Sequence, residues 1–96
     1  MEESDFTLEM ARKFHRRMAS LVDMVQAGIW AAGQHSLVGY STDYAFGQDR
    51  GRQTLVLKTR SRSTYVRLQW NTILGDRPAD RLMVDEATQR AITDLS

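Results

Sequence analysis

The 96-residue chain contains no cysteine, which excludes disulfide staples, thiol nucleophiles and thiolate metal sites. Its two histidines, His15 and His35, are far apart and neither has an i, i+4 partner. His15 also stands among Lys13, Arg16 and Arg17, a setting that disfavours a bound cation, so the residues offer no metal centre and no cofactor is expected. Proline occurs once, at Pro78, and the six glycines are scattered, matching neither G-x-G-x-x-G nor G-x-x-x-x-G-K-[ST]. The Gly47–Gly51 segment leads into a predicted strand rather than a helix, so it presents no helix dipole to a phosphate. Long hydrophobic runs are missing too. The most apolar stretch, residues 18–32, is interrupted by Ser20, Asp23 and Gln26 and falls short of the roughly 20 apolar residues of a membrane span. The start, Met1-Glu2-Glu3-Ser4-Asp5, is acidic, the reverse of a secretory or transit segment, so a cytoplasmic location without membrane partners is expected. Net charge is only +1, and the chain as a whole makes no bulk electrostatic demand for nucleic acid.

What is present is the composition of an average folded domain, 42% hydrophobic and 26% charged, and the length suits one α+β domain over residues 1–96. Phe14, Met18, Leu21, Val25 and Ile29, with Ala11 and Ala32, recur at steps of three and four, predicting an amphipathic helix over residues 4–32. Ser4 or Asp5 would cap it, Glu9 would pair with Lys13 one turn on, and Gly33 would follow its last residue. The first half of this helix carries a broad basic face of Arg12, Lys13, Arg16 and Arg17. In the second half Leu21, Val22, Met24, Val25, Ile29 and Trp30 wrap most of the circumference. A helix apolar on most sides must be covered on most sides. One small sheet covers one side, so these six residues are the candidate contact surface of a homodimer.

After Gly33 the period becomes two. Val38, Tyr40, Thr42, Tyr44 and Phe46 alternate with smaller or polar residues, predicting a first strand. Two further strands, 52–60 and 63–72, would form a hairpin with Arg60-Ser61-Arg62-Ser63 at its tip. Placing Thr59 opposite Thr64 sets Leu57 by Val66, Leu55 by Leu68 and Gln53 by Trp70, giving an inner apolar face. Residues 75–80, with Pro78, read as a break. Residues 81–84 read as either a fourth strand or the approach to a last helix starting at Asp85. The predicted architecture is a long N-terminal and a short C-terminal helix on one face of a three-stranded antiparallel meander, four-stranded if 81–84 pair. The element order is shared with double-stranded-RNA-binding domains. Their Gly-Pro loop and basic start to the final helix have no counterpart in these residues.

Catalytic patterns are absent. No G-x-S-x-G occurs, and His35 and Ser36, as neighbours on an extended segment, would point apart. A pocket between helix and sheet could involve Tyr40, Asp43, Tyr44 and Trp70, with Asp43 the one carboxylate in an aromatic setting; a solvated strand residue is the simpler reading. The most pointed feature is charge placement. Arg50, Arg52, Lys58, Arg60, Arg62 and Arg67 follow one another with no acid between them, and all cations of the chain but Lys13 and Lys58 are arginine. Arg52, Lys58, Arg60, Arg62, Tyr65 and Arg67 are therefore the candidate contacts for nucleic acid or another polyanion, guanidinium forks for phosphate and a ring for stacking. The residues thus favour a non-enzymatic, homodimeric binding domain. A polyanion-binding module and a small-ligand binder or enzyme are the alternatives.

Overall fold

The computed structural model describes residues 8–33, 35–42 and 52–96. Its elements are α1 (Leu8–Gly33), β1 (Gly39–Thr42), β2 (Arg52–Lys58), β3 (Ser63–Gln69), α2 (Trp70–Leu74) and α3 (Pro78–Leu95). The strands form one antiparallel sheet in the order β1-β2-β3, so the α+β arrangement read from the sequence is the one observed. Ser4, Asp5, Asp43, Tyr44 and Phe46, named above for a cap and a first strand, lie outside the described residues.

The core follows from two periodicities meeting. The α1 stripe Phe14, Met18, Leu21, Val25 and Ile29 is buried against Leu55, Leu57, Val66 and Leu68, the inward alternation of β2 and β3. From α3, Val84, Ala91 and Leu95 close the same cluster, and Ile73 of α2 joins it. Gly28 is a point of close approach between the long helices, since a Cβ there would run into the Ile92 side chain. The described helices therefore all lie on one face of the sheet.

The hairpin register differs from the predicted one by two residues. Leu57 faces Thr64, Leu55 faces Val66 and Gln53 faces Leu68. A slip of two leaves every side chain on its expected face, so apolar alternation cannot distinguish the registers. The turn decides it. Thr59 N–H donates to the Arg62 carbonyl at 2.8 Å, while the Thr59 hydroxyl accepts from Arg62 N–H at 3.1 Å, closing a tighter tip at Arg60-Ser61.

Three further expectations are corrected. Trp70 does not continue β3 but opens α2, where its ring lies 5.2 Å from Phe14 and its Nε1 donates to the Arg52 carbonyl at 3.2 Å. Residues 81–84 are helical, because α3 begins at Pro78 rather than Asp85. Proline's fixed φ and missing N–H suit the first helical turn, and Pro78 acts as a helix starter here, not a breaker. Lys13 does not pair with Glu9 but places its ammonium 2.9 Å from Asp76.

That ion pair belongs to a clamp. Arg17 donates to the Ile73 and Gly75 carbonyls at 3.1 and 3.0 Å, supplying partners at the end of α2, and also reaches Asp76. Lys13 and Arg17 thus tie α1 to the α2–α3 connection. Just beyond, the Arg77 guanidinium grips the Asp80 carboxylate at 3.0 and 3.1 Å. Asp80 is only 4% exposed, so this ion pair closes over a carboxylate largely removed from solvent. The hydrogen bonds from Arg17 and Lys13 hold Asp76 below the usual carboxylate range, and that from Arg77 does the same for Asp80.

Carboxylates with lowered folded-state pKa contribute stability above their ordinary pKa of 3.8 that is lost as pH falls through the folded value. The melting temperature is therefore expected to drop on acidification below that range. Asp76→Asn should melt lower at neutral pH and show a shallower acid-side drop, measured by circular dichroism melts across a pH series. Gly75 gives a second expectation. Its backbone is extended (φ −74°, ψ 152°), so space rather than conformation demands glycine: a Cβ would overlap the Asp80 carboxylate and come 2.7 Å from the Asn71 carbonyl oxygen. Gly75→Ala should cost about 1–3 kcal/mol in urea unfolding, whereas Gly39→Ala, with nothing within 4 Å of its Cβ, should leave packing undisturbed.

Candidate polyanion interface

The hairpin brings most of the basic residues to one surface. Direct cross-strand pairs are Val56 with Tyr65, Thr54 with Arg67, Lys58 with Ser63 and Arg52 with Gln69, all on the face away from the helices. Arg60 and Arg62 extend that face at the tip. Arg67 is fixed there by donating from Nε to the Thr54 hydroxyl at 3.1 Å, and its guanidinium carbon lies 5.4 Å from the Tyr65 ring centroid. Tyr65 itself is 61% exposed. The result is a phenol ring flanked by cations on a sheet face that no described helix covers.

Ion pairing separates the basic residues into two classes. Lys13, Arg17 and Arg77 have carboxylate partners within 4 Å. Among the described residues, Lys58, Arg60, Arg62 and Arg67 have none, and all four are exposed. The basic start of α1 is thus partly an internal fastener, and it lies on the opposite layer from the hairpin cations. Exposed arginine and lysine heads without acidic neighbours keep their full attraction for an incoming anion.

The other candidate residues are dispersed. Of the six proposed for a dimer contact, Leu21, Val25 and Ile29 are buried within the chain itself, beneath the sheet and α3. Val22 is half-buried, while Met24 and Trp30 present exposed surface. The second long helix supplies cover that the sequence reading allotted to another copy. Of the four pocket candidates, Asp43 and Tyr44 lie outside the described residues. Tyr40 pairs across from Leu57, whereas Trp70 follows Gln69, the partner of Arg52. Those positions stand at opposite ends of β2, about 17 Å apart at the usual strand rise, so Tyr40 and Trp70 line no common site. His15 packs edge-on to Phe14 at 6.1 Å, and the His35 carbonyl accepts from Gln26. Among the described residues no three His, Asp or Glu side chains come together as metal ligands, and no helix is long and apolar enough to cross a membrane.

Sequence reasoning did not single out Arg90 and Asp94. They lie on α3 beside β3, where the Thr64 hydroxyl donates to Asp94 at 2.8 Å. Only the placement of α3 along β3 brings them to the hairpin, and no local pattern signals it. Comparisons of the chain with protein-family models, with curated proteins and with solved structures give no match.

Proposed function

We infer that this chain is a binding domain that holds a polyanion on the outer face of its β2–β3 hairpin, single-stranded nucleic acid being the chemistry best matched. The observation that carries this reading is the group Lys58, Arg60, Arg62 and Arg67, exposed and without carboxylate partners among the described residues, around the exposed Tyr65 ring. Phosphates take guanidinium forks, and an unstacked base can lie on a tyrosine. A sheet face is accessible to a single strand whose bases can splay, which favours it over a duplex.

Fluorescence anisotropy with labelled oligo(U) at several salt concentrations tests the reading. Affinity should fall linearly in log–log form with salt, each phosphate contact contributing about 0.7 to the slope for a single strand. Replacing Arg60, Arg62 and Arg67 together by alanine should weaken binding and lower the slope by about 2. Tyr65→Ala should weaken binding while leaving the slope unchanged. Binding unaltered by the triple substitution would refute the assignment.

Self-association is a second reading, supported by three exposed apolar residues near β1: Trp30, Val38 and Tyr40. Gln26, one turn before Trp30, accepts from Leu37 N–H at 2.9 Å and so holds the segment leading to β1 against this end of α1. Light scattering coupled to size exclusion at micromolar concentration reads it directly. A dimer that reverts to a monomer in Trp30→Glu supports it, and a wild-type monomer removes it.

A further inference from the structure

On the outer face of the sheet, one flank of Tyr65 is filled and the other is open. The register sets three rows of side chains across that face: Thr54 with Arg67, then Ser41, Val56 and Tyr65, then Gly39, Lys58 and Ser63. On the first flank the Arg67 guanidinium lies over the Tyr65 ring, its carbon 5.4 Å from the centroid, and donation from Nε to the Thr54 hydroxyl keeps it there. The second flank is sparse. Gly39 has no side chain, and a Cβ there would meet nothing within 4 Å. Ser63 is small and exposed, so the exposed Lys58 is the one long side chain of that row.

A ring with one face against a guanidinium has its other face left for a ligand, and no described ring packs on Tyr65. Half-buried Val56, the direct cross-strand partner of Tyr65, gives the open flank an apolar border. Cations bracket this space. Arg67 stands beyond the ring on one side, and Arg62, the residue before Ser63, stands at the hairpin tip on the other. A flat, partly apolar seat between two cations matches one nucleotide unit, with a base to stack and a phosphate on either side of it. A sulfated sugar chain carries the charges but has no flat ring to fill the seat.

We propose that the open flank of Tyr65 seats a single unstacked nucleobase, laid between the free ring face and the Lys58–Ser63 pair, with the adjoining phosphates taken by Arg67 and Arg62. The proposal rests on the polyanion reading and narrows it: the ligand is a strand that offers a base, not any chain of negative charge. Ser63 is then a positioning residue. Its small side chain keeps the seat open, and a larger one at the same register position would occupy the space beside the ring. Arg67 acts on both counts, closing one face of Tyr65 so that the base has one place to stack and meeting a phosphate with its remaining donors.

The test compares labelled oligo(U) with an abasic strand of the same length and charge, each titrated with the full chain. Stacking of one base is worth about five- to a hundredfold in affinity, so wild type should bind oligo(U) at least about fivefold more tightly than the abasic strand. Ser63→Leu should lose that preference while binding the abasic strand, and responding to salt, as wild type does. Ser63→Ala, which leaves the seat open, should keep it. Ser63 is exposed, and circular dichroism melts of both variants should match wild type. Equal wild-type affinity for the two strands would overturn the proposal and leave the polyanion reading standing. A preference retained in Ser63→Leu would also overturn it, by placing the base elsewhere. If neither strand binds, the polyanion reading falls and the seat falls with it.

Discussion

The structure depends on drying one stripe of α1. Phe14, Met18, Leu21, Val25 and Ile29 are too wide an apolar surface for a three-stranded sheet to cover alone. The sheet takes one flank and α3 takes the other, with Gly28 giving Ile92 the room to approach. Burying such side chains contributes about 1.5–3 kcal/mol each, far more than any surface ion pair. This requirement gathers all the helices on one face. It thereby leaves the opposite face of the hairpin without a described helix over it, and the proposed ligand surface is a consequence of how the core is closed.

Electrostatics then sorts the cations. Where the chain turns from α2 into α3, it has carbonyls to satisfy and a short connection to hold, and Lys13 and Arg17 do this with Asp76. Arg77 performs a similar task for Asp80 at the start of α3. On the hairpin no described acid plays such a part. Lys58, Arg60, Arg62 and Arg67 are consistent with guarding the sheet against aggregation and with meeting an anion. The packing of the Arg67 guanidinium near an exposed ring favours the second, because a cation held beside a stacking surface is pre-arranged for a base and its phosphate.

Much of this was legible in the residues. The spacing of the α1 stripe and the alternation of β2 and β3 dictate the helix, the strands and the inner face. The hairpin register was not legible, because a period of two is blind to a shift of two, and the side-chain hydrogen bond of Thr59 fixes it instead. Residues 70–72 read as the end of the third strand by alternation, yet the chain leaves the sheet there, with Trp70 half-buried against Phe14 at the start of α2. Pro78 reads as a break in the sequence pattern and serves as a helix start. For the sites, the hairpin cations are visible as a run without acids, whereas the division between engaged and free cations needs Asp76 to be seen beside α1.

The central claim is that the outer hairpin face, and not the basic start of α1, receives the polyanion. Nuclear magnetic resonance mapping with oligo(U) tests it most directly, following backbone amides and arginine Nε–H signals in one titration. The account expects shifts concentrated on Lys58, Arg60, Arg62, Tyr65 and Arg67, with Lys13 and Arg17 unmoved in their clamp. Shifts centred on residues 12–17, or none at all, would contradict it.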